Sequence, residues 1–298
     1  RDYDERGVVD EYESEVLGIK YDFSKIINSK LSLGAGSEFK YDWGKFNNNG
    51  SYQASTKGHT ENLSFYGNLG LNIYRDTNIS LFARNDNHKQ TGNHLTFKFN
   101  FEQKLNNFRV GSSYLNGIRN PTLYEMFGTD NFGYSGNVNL QPEKSNTFEI
   151  YSFLEVNKRF NASIRAFKSN IKNNIEYISN QYQNDSDNVD LNQSGINTTL
   201  KFKGEKQSIS LFSSLLATKK ENGASQTRRP AKNYGLNMKK KFNNKYFGNI
   251  NVNLNYNHYG KHFDIHSSSF KTIEMDSTDI IDIYFIRKVN NSGNYYLK

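Results

Sequence analysis

The sequence predicts an all-β fold: an antiparallel up-and-down transmembrane β-barrel, of which this chain supplies about 14 strands. Three observations predict it. Apolar and polar residues alternate with a period of two through most of the chain, and short and long connections between the alternating segments follow one another in turn. No apolar run approaches the roughly 20 residues of a membrane-spanning helix. Composition agrees: of 298 residues 35% are hydrophobic, yet 14% are aromatic, with 20 Tyr and 22 Phe. A soluble core of this size needs about 45–50% apolar residues, and a disordered chain lacks aromatics. A strand with one face in lipid needs an apolar residue only at every second position.

The strands follow in order. Segment 13–22 leads into Leu31–Tyr41, where Leu31, Leu33, Ala35, Phe39 and Tyr41 alternate with Ser32, Gly34, Gly36, Glu38 and Lys40. After 62–74 and 78–86 come Leu95, Phe97, Phe99 and Phe101, set against Thr96, Lys98, Asn100 and Glu102. Segments 108–116, 145–156, 160–172, 195–203, 208–217 and 233–242 continue the pattern. It is plainest over Asn249–His258, where Ile250, Val252, Leu254 and Tyr256 alternate with asparagines, and 273–287 and 294–298 complete the set.

Short connections are expected near Ser24–Ser29, Arg75–Thr77, Asn106–Asn107, Asn157–Arg159, Gly204–Gln207, Asn243–Lys245 and Lys288–Gly293. Between them fall longer ones at 44–60, 87–93, 117–144, 179–194, 218–232 and 261–272. Antiparallel neighbours joined in this way gather the tight turns at one end and the long loops at the other, as in outer-membrane barrels. Aromatics near strand ends are candidates for interfacial girdles: Tyr21 and Phe23, Tyr41 and Trp43, Phe242 with Tyr246 and Phe247, and Tyr256 with Tyr259.

The net charge of +8 comes from Lys and Arg dispersed along strands and turns, without a basic block, so no nucleic-acid partner is expected. The chain has no cysteine, which excludes disulfides and thiolate metal sites. It opens on Arg1-Asp2-Tyr3 with neither an initiator Met nor a signal peptide, and a preceding segment is expected. His258, His262 and His266 are spaced by four, but they fall on a strand end and a loop, so no metal site is expected. The acidic stretch Asn184–Asp190 lacks the glycine and distal Glu of an EF-hand and reads as a solvated loop, with a loose Ca²⁺ site as the alternative. No catalytic motif is present, and neither a cofactor nor an enzyme is expected.

The longest connection is the most specific. It reads Gly117-Ile118-Arg119-Asn120-Pro121-Thr122-Leu123-Tyr124-Glu125-Met126-Phe127-Gly128, then Gly136-Asn137-Val138-Asn139-Leu140-Gln141-Pro142-Glu143-Lys144-Ser145. Asn120 is expected to cap a short helix with Pro121 at its first position, and Gly128 to end it. Pro142 sits where a strand does not yet need a ladder donor.

At these residues the chain resembles the TonB-dependent outer-membrane receptors, whose barrels carry G-x-R-x-P-[ST]-L-x-E-x-[FY]-G followed by N-x-x-L-x-P-E-x-S. Arg228-Arg229-Pro230 resembles an R-R-P segment before a later strand, and 279–285 resembles the family's third-last strand. The order across 117–298 looks closest to the cobalamin-receptor-like branch. The resemblance implies a ~22-stranded barrel closed by an N-terminal plug. Residues 1–298 are then a single partial barrel domain lacking the plug, several early strands and the last strand. It implies uptake of a small metal chelate, either a ferric siderophore or cobalamin, across the outer membrane of a Gram-negative cell. Outer-membrane lipid would surround the wall, and the TonB complex would act through the missing N-terminal region. Gly117, Pro121, Leu123, Gly128, Asn137, Leu140, Pro142, Glu143 and Ser145 are expected to fold the loop. Arg119 belongs to the same signature and is also a candidate ligand contact. The other candidates are Tyr124, Phe132, Tyr134, Arg228 and Arg229, since aromatics and cations in outer loops suit an anionic chelate. A passive porin-like channel is the alternative, and a membrane-barrel enzyme the third reading.

Overall fold

The computed structural model of the chain describes residues 2–3, 9–50, 53–74, 76–178, 181–184, 190–220, 226–244, 248–266, 269, 271–289 and 293–297. In chain order the elements begin with β1 (Asp2–Tyr3), β2 (Val9–Asn28), β3 (Leu31–Asn48), β4 (Ala54–Tyr74), β5 (Thr77–His88), β6 (Gly92–Leu105) and β7 (Phe108–Arg119). A one-turn helix, α1 (Leu123–Phe127), precedes β8 (Glu143–Glu155) and β9 (Phe160–Lys172). A hairpin of β10 (Ile175–Ile178) and β11 (Gln181–Asn184) leads to β12 (Leu191–Lys203), β13 (Gln207–Lys220), β14 (Lys232–Asn244) and β15 (Gly248–Tyr259). A second hairpin, β16 (His262–Ile265) with β17 (Thr272–Met275), precedes β18 (Thr278–Val289) and β19 (Gly293–Leu297).

Each strand of the main 15-stranded sheet lies beside the next in sequence, and only the two short hairpins stand outside it. This is the up-and-down order predicted. Among the described residues no helix is long and apolar enough to cross a membrane. The chain forms two compact units: unit 1 comprises Arg1–Phe101, Ser113–Phe148 and Ser169–Leu191, and unit 2 comprises Glu102–Ser112, Glu149–Lys168 and Asn192–Lys298.

In unit 2 the register aligns like with like. Leu236, Tyr256 and Ile281 are consecutive cross-strand partners, as are Met238, Leu254 and Ile283. One residue along, Asn237, Asn255 and Asp282 form a polar row, and Lys239, Asn253 and Tyr284 form another. Because strand side chains alternate, these rows occupy opposite faces, one apolar and one hydrophilic. Unit 1 repeats the scheme: Ile19, Phe39 and Leu63 are successive partners, while Lys20, Glu38 and Ser64 form the row beside them. Apolar side chains on one face are left uncovered: Leu95, Phe97 and Phe99 are all exposed.

Three expectations are corrected. The connections expected at 44–60 and 87–93 are mostly strand, because β3 runs to Asn48, β4 starts at Ala54, and only three residues separate β5 from β6. The reason is cover: Phe46 and Asn48, on the polar face of β3, are buried, so the hairpin stays packed at its outer end. The strand expected over 273–287 is split. Residues 272–275 pair back onto β16, and β18 begins at Thr278. Tyr246 and Phe247, and 185–189 of the acidic stretch, lie outside the described residues.

Candidate functional site

The signature segment builds a folded cap at the loop end of unit 1. Strand β7 delivers Arg119, and α1 follows after Asn120–Thr122. The expected cap is corrected by two residues: Thr122, not Asn120, is the N-cap, and Pro121 lies before it. Thr122 Oγ1 accepts the Glu125 N–H at 3.2 Å, while the Glu125 carboxylate accepts the Thr122 N–H at 2.7 Å. This reciprocal capping box satisfies two otherwise orphaned donors, which a lone Asn cap does not. Asn120 instead accepts a hydrogen bond from Thr91 Oγ1 at 2.8 Å. At the other end the Gly128 N–H closes the turn on the Tyr124 carbonyl at 2.8 Å.

Arg119 ties the loop together. Its Nε and Nη2 donate to both oxygens of Glu143 at 2.8 and 2.9 Å, and Nη1 donates to both oxygens of Glu125 at 3.1 Å. Glu143 also accepts the Ile175 N–H at 2.8 Å, so one guanidinium links α1, the start of β8 and β10. Paired donors on carboxylates give directional, charge-assisted contacts. The return segment closes over this: the Asn137 N–H donates to the Glu125 carbonyl at 2.9 Å, and Asn137 Nδ2 to the Tyr182 carbonyl at 3.1 Å. Leu140 and Pro142 are buried. Gly117 lies so close to Ser145 that a Cβ there would touch its Oγ, and a Cβ on Gly128 would press on the Tyr124 carbonyl. Leu123 fills the remaining space against Gly44 of β3.

Aromatic rings form a contiguous cluster beneath the loop. Tyr124 stacks on Tyr134 at 4.7 Å between centroids and meets Tyr12 and Phe46 at 5.5 and 5.7 Å. Tyr134 in turn meets Tyr177 and Tyr182 of the β10–β11 hairpin at 5.9 and 5.7 Å. Burial foremost raises the phenol pKa of both Tyr124 and Tyr134, keeping them neutral donors.

The expectation that Tyr134 is exposed is corrected: it is 2% exposed, and its hydroxyl donates to the Tyr124 carbonyl at 2.6 Å. A loop tyrosine is drawn inside here because the hairpin rings cover its face and a carbonyl accepts its hydroxyl. Phe132, by contrast, is 67% exposed. Sequence reasoning missed Tyr12, Phe46, Tyr177, Tyr182 and the capping role of Glu125. Phe46 had a signal, being an apolar residue on the polar face of its strand.

Arg228 and Arg229 lie in unit 2. Arg228 has a left-handed backbone (φ 59°), its N–H donates to the Phe263 carbonyl at 2.6 Å, and its Nε to Asp264 at 2.8 Å. That guanidinium holds the Asp264 carboxyl below its ordinary pKa. Arg229 lines a cavity of about 460 Å³ with Lys261, His262 and Glu274. Among the described residues no group of His, Cys, Asp or Glu could hold a metal ion.

A family model described as TonB dependent receptor-like, beta-barrel matches residues 2–296. A search of curated protein sequences found no match. Among solved structures, the siderophore receptor PirA from Acinetobacter baumannii is similar with a TM-score of 0.72 and 16% identity, covering 95% of this chain and 49% of that one. The ferripyoverdine receptor of Pseudomonas aeruginosa gives 0.70 and 14%, covering 95% and 43%. The ferric yersiniabactin uptake receptor FyuA from Yersinia pestis gives 0.67 and 12%, covering 97% and 48%. The chain spans less than half the length of each of these three proteins. With its up-and-down sheet, two-faced strands and folded signature loop, the chain belongs to the TonB-dependent receptor-like β-barrel family.

Proposed function

We propose that this chain is barrel wall of an outer-membrane receptor that imports a ferric siderophore, energised by TonB. The observation that carries the reading is the family match over residues 2–296. The signature loop supports it, since Arg119, Glu125 and Glu143 build a rigid rim on which Phe132 is presented to solvent. The similar solved structures named above are siderophore and ferric-chelate receptors, which favours an iron chelate over cobalamin. In this reading the protein makes and breaks no bond. The outer loops of the wall capture the chelate, the apolar face meets outer-membrane lipid, and the plug and TonB-contacting segment belong to the gene product beyond these residues. Phe132, Tyr124, Arg228 and Arg229 are candidate ligand contacts. Arg119 serves the loop's fold, and a buried Tyr134 supports Tyr124 from behind.

The test is growth of a strain deleted for the gene and complemented with its full-length product. Under iron limitation, siderophore-fed growth should need both the product and an intact TonB. Uptake of labelled cobalamin in the same strains should be unchanged. Siderophore uptake that persists without TonB, or cobalamin uptake that depends on the product, would overturn the proposal.

A further inference from the structure

We propose that Lys240 and Arg287 form a docking site for the phosphate of an anionic glycerophospholipid, on the apolar face of unit 2 at its tight-turn end. The proposal rests on the outer-membrane barrel reading, in which short turns lie on the periplasmic side. Two strands of unit 2 break their alternation at one point each. Leu236, Met238 and Phe242 occupy the apolar slots of β14 except where Lys240 stands, and Ile281, Ile283 and Phe285 those of β18 until Arg287. The register brings both exceptions to one face. Lys240, Val252 and Phe285 are consecutive cross-strand partners, and so are Phe242, Ile250 and Arg287. The two rows before them, Leu236 with Tyr256 and Ile281, and Met238 with Leu254 and Ile283, carry no charge. None of the four rows holds an acid, and Asp282 points to the other face. Among the described residues neither cation has an ion-pair partner.

Depth along the strand fixes the level of the two charges. Tyr234, His258 and Asp279 form the polar row at the long-loop end of the same face. From His258 to Ile250 the strand rises about 27 Å, or about 20 Å of membrane depth at a ~40° tilt, against an apolar band of about 25 Å. Arg287, in the Ile250 row, therefore stands at the inner rim of the band, and its side chain is exposed. Lys240 starts one row deeper, but its ammonium lies over the Phe242 ring at 4.9 Å. Its side chain thus extends toward the tight turn, into the row of Arg287. Only β15 separates β14 from β18, so the two backbones are about 10 Å apart. Two long side chains bridge that gap and can share one phosphate, which suits a guanidinium fork beside an ammonium. Ile283 and Phe285, each 44% exposed, offer an apolar surface to the acyl chains. Charge complementarity selects the occupant. A zwitterionic phospholipid offsets its phosphate with its own amine, and lipopolysaccharide belongs to the opposite leaflet, at the long-loop end.

The test is native mass spectrometry of the purified full-length receptor in neutral detergent, titrated with phosphatidylglycerol, phosphatidylethanolamine or rough lipopolysaccharide. Phosphatidylglycerol should bind at least fivefold more tightly than phosphatidylethanolamine. Lys240→Gln with Arg287→Gln should abolish that preference, and each single substitution should reduce it. Lys240→Arg with Arg287→Lys, which keeps both charges, should retain it, as should Lys239→Gln on the opposite face of β14. The proposal is overturned by equal binding of the two phospholipids, which is the result if the cations only reach for water. A preference that survives the double Gln variant, or is lost equally in Lys239→Gln, overturns it too. So does loss of lipopolysaccharide binding in the double Gln variant with phosphatidylglycerol binding unchanged. A lipid preference retained in a product that fails the siderophore growth test overturns the importer reading alone.

Discussion

Replacing Arg119 by Met separates loop folding from ligand contact. Methionine keeps the aliphatic volume of the arginine stem but removes every donor to Glu125 and Glu143. The two carboxylates are 12% and 17% exposed and the guanidinium 41%, so the triad stands between two regimes. Breaking a fully buried pair costs about 3–5 kcal/mol, while a solvated pair contributes about 0–1 kcal/mol. A local cost of about 2 kcal/mol follows, and at 1.4 kcal/mol per tenfold that is a roughly 30-fold rise in loop opening. Hydrogen exchange on the full-length receptor reads it directly at the Asn137 amide, which donates to the Glu125 carbonyl, and at the Ile175 amide, which donates to Glu143. Both should exchange about 30-fold faster, while β14 and β15 amides stay unchanged. Arg119→Lys should recover only part of the protection, since an ammonium cannot hold two carboxylates through paired donors. Unchanged exchange together with weakened chelate binding would refute this account and make Arg119 a ligand contact.

The remaining predictions test the wall, the cap and the second loop cluster. Phe99 is 37% exposed on the apolar face, so Phe99→Arg should destabilise the barrel in lipid vesicles by about 2–4 kcal/mol. Asn100→Arg, on the opposite face, should cost far less, and equal losses in reversible unfolding would invert the assigned orientation. Tyr134→Phe removes the hydroxyl held by the Tyr124 carbonyl but keeps the stacked ring. It should cost about 1 kcal/mol, seen as about fivefold faster exchange at Asn137, and no change there would discount that hydrogen bond. Gly136→Ala drives a Cβ into the backbone of Met126, and should cost about 1–3 kcal/mol of loop stability, read by protease susceptibility of 120–142. The Asp264 carboxyl is depressed by Arg228. Its contribution is therefore present above the ordinary aspartate value of 3.8 and lost as pH falls through the lower folded value. Carboxyl NMR should place the Asp264 midpoint below 3.8, and Arg228→Gln should move it back up; an unmoved midpoint would sink the pairing.

What the sequence made legible, and what it did not, has one physical cause. Alternation reports a face only where that face meets a uniform medium. Over Asn249–His258 one face is apolar and the other polar along its length, so every residue announced its side, and the register pairs them as read. At Gly44–Asn48 the polar face is covered by the folded loop instead. Phe46 there is buried, and the alternation looked like the end of a strand when it marked the start of a packed hairpin. The cap shows a second limit. Asn120-Pro121 and Thr122-x-x-Glu125 are both valid helix openings, and only the second satisfies donors in both directions while leaving Glu125 oxygens for Arg119. That choice depends on Arg119 and Glu143 meeting across the loop, which spacing does not reveal. Tyr134 is the extreme case. A loop residue has no period, so whether it is a solvent-facing contact or a buried support depends on partners far along the chain, here Tyr177 and Tyr182. Strand faces can therefore be read residue by residue, whereas the roles of loop residues become readable only once the segments packed against them are known.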